Sequence, residues 1–428
     1  MLSRLSNIFK VGDLRKKVLF TVFVIGAYQL GANIPVPGVD VHQLQALKQQ
    51  AQNNGILAYL SLFTGGAITK MAVFGLGIMP YITSSIIVQM LTTAIPKLAE
   101  WREQGPVGQK KLTQTTRYLT VGLAIMQASG LTYAFHTGGI FNTGSSVDLI
   151  PDWTFPRAAF IVLTLTAGTA FVMWLGELIT QHGIGQGMSI LIFANVVATL
   201  PGVGAIVLSQ AGQFKFWVIM ALTLAMLVAI VFMEQGQRRI QMVIAKRIVG
   251  RRQMAGQSTY IPLKVNQSGV VPVIFASSLL YIPVLLSNII PWQPLTNFVK
   301  NNLASTSIIY IFTYGALIVL FAFFFVRIQF DPQLQAEQIR KQGGYIPGIR
   351  PGLPTERYLS RILNRITLPG SLYLAIFAVL PAIPLVLWNI KQVPFFGVTV
   401  LISVGVTLET LRQLDGQLVM RNYESFLN

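Results

Sequence analysis

Cysteine is absent from all 428 residues, which excludes a disulfide framework, a thiolate nucleophile and any cysteine-based metal site. Charge is scarce as well: Asp, Glu, Lys and Arg make up 11% of the chain, against about 25% in ordinary soluble domains. There are three histidines, His42, His136 and His182, far apart and outside the long apolar runs. They offer little material for a histidine metal centre. The patterns H-E-x-x-H, G-x-S-x-G and G-x-x-x-x-G-K-[ST] are all missing, which argues against a zinc protease, a serine-elbow hydrolase and a nucleotide-binding phosphate loop. The chain therefore reads as a non-enzyme without cofactor or metal. Any energy source belongs to a partner.

What is present is lipid-soluble. Hydrophobic residues make up 53% of the chain and the mean hydropathy is +0.60. A bilayer core of roughly 30 Å takes about 20 apolar helical residues to cross. Ten charge-poor runs are candidates: Val18 to Ile34, Ala72 to Ile95, Tyr118 to Phe135, Ala158 to Gly176, Ile184 to Val207, Phe216 to Met233, Val270 to Ile290, Ile308 to Val326, Thr367 to Ile390 and Pro394 to Leu408. The last is short and is expected to continue past Glu409 towards Leu418. Arg15, Lys16 and Lys17 precede the first run as they would in a signal peptide, but no small-residue cleavage pattern follows, so that run is read as a retained span. The expected class is an all-α membrane protein with ten transmembrane helices.

Basic residues set its orientation. Of the 32 lysines and arginines, 26 fall in the termini and in the segments after spans 2, 6 and 8, while Lys48, Lys70, Arg157, Lys215, Lys300 and Lys391 lie on the other side. The positive-inside rule then places both termini in the cytoplasm. Two basic segments are longer than a connection requires. One runs over 238–264 and carries Arg238, Arg239, Arg247 and Arg251; the other runs over 327–365 and carries Arg350 and Arg357. Topology control and attraction to anionic lipid explain short basic loops. Long ones fit better with docking of a large partner, ribosomal RNA phosphates or an acidic protein surface.

No ionisable residue lies mid-span in any of the ten runs, whereas ion-coupled transporters need such groups at membrane depth. In their place stand small, hydroxyl and helix-breaking residues. Gly75, Gly77 and Pro80 open span 2, followed by Thr83, Ser84, Ser85 and Gln89; span 5 opens with Gly183, Gly185 and Gly187; span 7 holds Pro272, Ser277, Ser278 and Pro283. Pro80 is expected to kink its helix. Each feature alone fits ordinary membrane helix packing. Together they also suit helices that separate and reclose. A transporter of a neutral small molecule or lipid is the alternative reading, and a non-conducting scaffold a third.

The stretch Gly75 to Leu91, GLGIMPYITSSIIVQML, resembles the second transmembrane helix of the SecY family, the channel-forming subunit of the bacterial Sec translocase. Four more segments agree in order and spacing: GIGQGMSILIF (Gly183 to Phe193), KVNQSGVVPVIFASSLL (Lys264 to Leu280), GGYIPGIRPG (Gly343 to Gly352) and the terminal YES (Tyr423 to Ser425). The resemblance covers essentially the whole chain. It implies two pseudo-symmetric five-helix halves, 1–213 and 214–428, related as an inverted repeat around an hourglass pore. It also implies a short plug helix at about 56–69, containing Leu62, Phe63, Gly65 and Gly66. That segment is in itself apolar but too short to span.

Residue by residue, the family's aliphatic pore ring falls on Ile78, Ile82, Met188, Ile192 and Ile274, with span 10 left open between Ile402 and Ser403. From spacing alone these are core positions. Met188 replaces the usual isoleucine, a flexible thioether that can fill an irregular gap. The resemblance further places Thr83, Ser84, Ser85 and Gln89 opposite Ser277 and Ser278 on a lateral gate between spans 2/3 and 7/8. It makes Arg350 a contact for the SecA motor or the ribosome, the alternative being carbonyl capping within its own loop. The implied partners are the small membrane subunits SecE and SecG, SecA, the ribosome, signal peptides, translocating polypeptides and membrane lipid. The implied setting is a bacterial plasma membrane, and the implied activity is passive conduction of unfolded secretory chains with lateral release of hydrophobic helices.

Overall fold

The computed structural model describes residues 12–39, 64–136, 150, 153–244, 247–249, 252–254, 258–289, 293–294, 307–388 and 396–427. Its helices are α1 (Gly12–Gly31), α2 (Met79–Ala94), α3 (Pro96–Glu103), α4 (Pro106–His136), α5 (Phe155–His182), α6 (Gly187–Gln210), α7 (Gly212–Gln235), α8 (Val271–Ile289), α9 (Ile308–Gln329), α10 (Pro332–Lys341), α11 (Leu353–Val379), α12 (Ala382–Leu387) and α13 (Phe396–Leu427). Each of the ten charge-poor runs overlaps a helix among the described residues. Five of these, α5, α6, α7, α9 and α11, are long and apolar enough to cross a membrane unaided, and α2 with α3, bent by 106°, makes a sixth if taken as one span. Charges crowd the start of α1 at Asp13, Arg15, Lys16 and Lys17, and Glu409, Arg412 and Asp415 interrupt α13. The chain is a multi-pass membrane protein.

Three expectations are corrected. Span 2 does not begin at Ala72: residues 72–78 are turns and the helix starts at Met79, because Gly77 takes a positive φ of 56°. Pro80 therefore lies in the first helical turn and introduces no kink, since an amide hydrogen there would have no helical acceptor in any case. The run Thr367 to Ile390 is broken: α11 ends at Val379 and α12 begins at Ala382, beyond Pro381.

The connection between α6 and α7 turns at Gly212, with φ 75° and ψ 171°, next to the expected boundary between halves. A large apolar cluster joins residues before and after that point, from Tyr28, Ile78 and Ile192 to Ile274, Tyr314, Leu374 and Ile402. Its outer surface stays apolar, with Phe23, Phe214, Phe232 and Phe312 each more than 70% exposed, as lipid contact demands. Between such helices close packing replaces the hydrophobic effect as the cohesive force.

Helices α5 and α6 show how close the approach is. A Cβ on Gly187 would stand 1.9 Å from the carbonyl oxygen of Gly176, whereas a Cβ on Gly176 would meet Sδ of Met188 at 2.4 Å. The first obstacle is backbone and the second is the free end of a flexible side chain. Gly187→Ala is accordingly expected to destabilise by about 1–3 kcal/mol or more through overpacking. Gly176→Ala is expected to cost only a few tenths, because Met188 can turn aside and alanine is the better helix former by about 1 kcal/mol. Thermal unfolding of the two purified variants in detergent checks the contrast.

Candidate functional site

The polar end of the molecule is a folded platform rather than a pair of loops. β1 (Gln237–Ile244) pairs antiparallel with β4 (Ser258–Lys264) and with β5 (Gly344–Tyr345), and a second hairpin joins β2 (Arg247–Val249) to β3 (Arg252–Met254). Alternation along β1 sends Ile240 and Met242 inward and Arg239 and Gln241 outward. Ile240 and Met242 pack with Leu263, Phe330, Ile339, Ile346, Leu359 and Leu363 in a separate core. Outside lipid each such residue contributes about 1.5–3 kcal/mol by burial, enough to hold the platform stiff.

On this base the expected partner-contact residues are placed unevenly. Arg238 and Arg239 are exposed on β1. Arg247 opens β2, and Arg251 lies outside the described residues. Arg357 is not on a loop but on the second turn of α11, exposed. Arg350 is exposed at the turn before α11, where it lines an open cavity of about 550 Å³ with Arg340, Tyr345, Gly348 and Pro351. Its carbonyl accepts a 2.9 Å hydrogen bond from Oγ1 of the buried Thr355. The guanidinium itself caps nothing among the described residues.

The expected ring residues share the large apolar cluster. Ile78, Met188, Ile192 and Ile274 are each at most 7% exposed, and Ile82 packs against them. Ile402 is buried in the same cluster, while Ser403 is half-buried and donates to the Thr399 carbonyl at 2.8 Å. Met188, within the same cluster, has its thioether end against Gly176 of α5.

Of the expected plug residues, Leu62 and Phe63 lie outside the described residues. Gly65 and Gly66 form a turn with φ of 62° and 79°, followed by a single 3-10 turn, Ile68–Lys70. Gly65 sits on α6: a Cβ there would come within 2.8 Å of Oδ1 of Asn195, whose Nδ2 donates to the Tyr28 hydroxyl at 2.8 Å.

The hydroxyls of the expected gate bond back to their own helices. Thr83 donates to the Met79 carbonyl at 3.0 Å, Ser84 to that of Pro80 at 2.7 Å and Ser277 to that of Ile274 at 2.8 Å. Back-bonding of this kind satisfies a hydroxyl where water is absent. Each of these three hydroxyls thus has an acceptor within its own helix. Ser85 is half-buried, Gln89 is exposed, and the Ser278 side chain is not described. α8 packs on α9 and α11 and touches α4, so spans 7 and 3 do meet at this seam.

Sequence reasoning missed several polar links. Arg117 on α4 grips Glu177 on α5 with both ends, Nε to Oε1 at 2.7 Å and a terminal nitrogen to Oε2 at 2.5 Å. Arg412 on α13 donates to the Glu234 carbonyl at the end of α7 at 2.7 Å, and Asn266 donates to the Glu234 carboxylate. Arg102 on α3 donates to the Ile328 carbonyl in the last turn of α9 at 2.5 Å. The one advance signal was position, and only for Arg117, which stands immediately before the run that opens at Tyr118.

A family model for SecY matches residues 72–411. The protein translocase subunit SecY of Streptomyces scabiei is 47% identical to this chain over 100% of both, and that of Mycobacterium tuberculosis (strain ATCC 25618 / H37Rv) is 46% identical over 100% of both. The chain belongs to the SecY family. Solved structures agree on the fold at lower identity. A protein-conducting channel matches with a TM-score of 0.58 at 18% identity, covering 94% of this chain and 91% of that one. A SecY protein whose plug domain stabilises the closed channel matches at 0.62 and 18%, with the same coverage. Sec61 in the canine ribosome-channel complex matches at 0.56 and 17%, again over 94% and 91%. The chain is a protein translocation channel of this family.

Proposed function

We propose that this SecY-family chain is the central channel subunit of a protein translocase in a bacterial plasma membrane, with ten spans and both termini in the cytoplasm. Its halves are 1–213 and 214–428. Unfolded secretory polypeptides pass between Ile78, Ile82, Met188, Ile192 and Ile274 once the segment carrying Leu62, Phe63, Gly65 and Gly66 moves aside. An aliphatic constriction blocks ions by dewetting yet yields to a passing chain. Signal sequences and transmembrane helices leave between α2/α4 and α8/α9, the seam lined by Thr83, Ser84, Ser85, Gln89, Ser277 and Ser278. Thr83, Ser84 and Ser277 each keep a hydrogen bond to a carbonyl of their own helix, which need not break when the seam parts. An entering apolar helix restores the packing contacts.

The observation that carries this reading is the pairing of an apolar cluster drawn from both halves with a stiff arginine platform at one end, in a chain 47% identical to a translocase subunit over its full length. Without a nucleotide loop of its own the chain depends on a partner for energy. Arg238, Arg239, Arg247, Arg251, Arg350 and Arg357 supply the docking charge for a SecA-type motor or a ribosome, and the ribosome-bound canine and yeast relatives in fold support the latter. SecE and SecG complete the assembly.

The test is ATP-dependent import of a secretory precursor into proteoliposomes carrying this chain, its small membrane subunits and SecA. Protease-protected precursor is the expected result. Folded, oriented protein that protects none overturns the proposal.

A further inference from the structure

We infer that Arg102 is a positioning residue that latches the two halves together at the basic end of the seam between α2/α4 and α8/α9, and that the latch is wired to the docking platform. The inference rests on the proposed lateral gate.

The last carbonyls of a helix have no partner within it and carry the negative end of its dipole. At the end of α9 the Phe330 amide satisfies the Val326 carbonyl. The Ile328 carbonyl, one of those left over, accepts from Arg102. This bond spans 226 positions of sequence and joins the first half to the second. It sits where the seam is thin, α8 making only a light contact with α4.

The donor is held in place. α3 turns by 106° from α2 and packs on α4, Lys111 lies over the Trp101 ring at 5.6 Å, and Gly108 lies so close to the Trp101 carbonyl that a Cβ would come within 1.7 Å of it. Arg102 is thus fixed to the α2–α4 body rather than waving on a loop. The acceptor is held by a different body. Three residues past Ile328, Asp331 caps α10 by accepting from the Gln333 amide at 2.9 Å. α10 packs on α11 and β5, next to the Arg350 turn. A partner that shifts the Arg340–Arg350 turn therefore moves the root of α10 and, with it, the carbonyl that Arg102 grips. Since the bond is exposed, it is weak enough to be broken by such a shift and remade after it.

The test uses the full chain in proteoliposomes with its small membrane subunits. The absence of native cysteine lets spin labels be placed cleanly at Gln104→Cys and Gln333→Cys, exposed positions on either side of the latch. Electron–electron dipolar spectroscopy reads the distance between them, with and without a synthetic signal peptide. Arg102→Ala is expected to raise the long-distance population without peptide by about five-fold, the equivalent of one lost hydrogen bond. Arg102→Lys, which keeps a donor, is expected to recover most of the short-distance population. Arg327→Ala, which removes a neighbouring charge, is expected to leave the distances unchanged. If peptide widens the unaltered protein but, without peptide, Arg102→Ala shows the same short distances as the unaltered protein, the latch is overturned and the gate stands. If peptide leaves the unaltered protein unmoved, the gate reading fails and takes the latch with it. An equal effect of Arg327→Ala overturns the latch in favour of a general charge effect.

Discussion

Replacing Arg350 by glutamate is expected to cut motor-driven translocation at least about thirty-fold, the equivalent of about 2 kcal/mol and the threshold for an interface hot spot. The chain should remain folded and inserted. Two roles compete for this residue, holding its own turn and meeting a partner, and the geometry separates them. The turn is closed through the Arg350 carbonyl by Thr355, a buried residue of α11, and that bond does not depend on the side chain. The guanidinium is exposed beside Arg340 on an open cavity. Reversing its charge therefore alters what the cavity attracts and leaves the turn's own bond in place. Precursor protection in proteoliposomes, measured alongside the melting temperature, checks both halves of the expectation. Thr355→Val supplies the converse: it removes the internal bond, so a loss of platform stability of about 1 kcal/mol should accompany whatever transport is lost. If Arg350→Glu transports normally, docking does not pass through this turn.

The membrane part was legible because its signal is length without charge, and each such run overlaps a helix among the described residues. Span 2 shows the limit of that signal. Hydropathy does not distinguish the turns at 72–78 from a helix, but the positive φ required at Gly77 does. A glycine three residues ahead of a proline was already a reason to start the helix later. The platform was read as two long basic segments, yet its strands and helices were within reach. Arg239, Ile240, Gln241 and Met242 alternate with period 2, the mark of a half-buried strand. Asp331 followed by Pro332 is a helix start.

Other features could not be read from the chain. Arg102 and Ile328, Arg117 and Glu177, and Asn195 and Tyr28 are far apart in sequence and are brought together only by packing of helices. Their chemistry gives no local pattern. The aliphatic positions are a different case. Met188/Ile192 share a helix face by their i, i+4 spacing, Ile78 sits at the cap just before α2, and the structure buries these three with Ile82 partly buried against them. Burial is what a packing core and a closed constriction have in common. Separating the two takes a substitution whose effect differs between them.

Ile274→Asn provides that separation. Ile274 is 5% exposed on α8, in the cluster that also holds Ile78, Ile192 and Ile402 from α2's start, α6 and α13. In a dry packing core an amide there is a buried polar group without guaranteed partners, which costs about 1–3 kcal/mol on top of the lost burial of the isoleucine. The result is a less stable protein that passes nothing. In a constriction the same amide faces a narrow column that excludes ions only because its wall is apolar. An amide supplies donors and acceptors that hold water. Ion conductance of planar bilayers containing the protein is then expected to rise by about ten-fold or more, with the melting temperature lowered only modestly. Ile274→Leu, nearly volume-conserving, should cost less than about 1.5 kcal/mol and leave conductance at its basal level. The flexible Met188 makes a second probe. Its end rests on Gly176, so Gly176→Ala pushes the thioether off α5. If it has nowhere to go but the constriction, Gly176→Ala should lower the conductance of the Ile274→Asn background while hardly changing its stability. A conductance unchanged by Ile274→Asn in folded protein would assign these residues to packing and place the seal elsewhere in the chain.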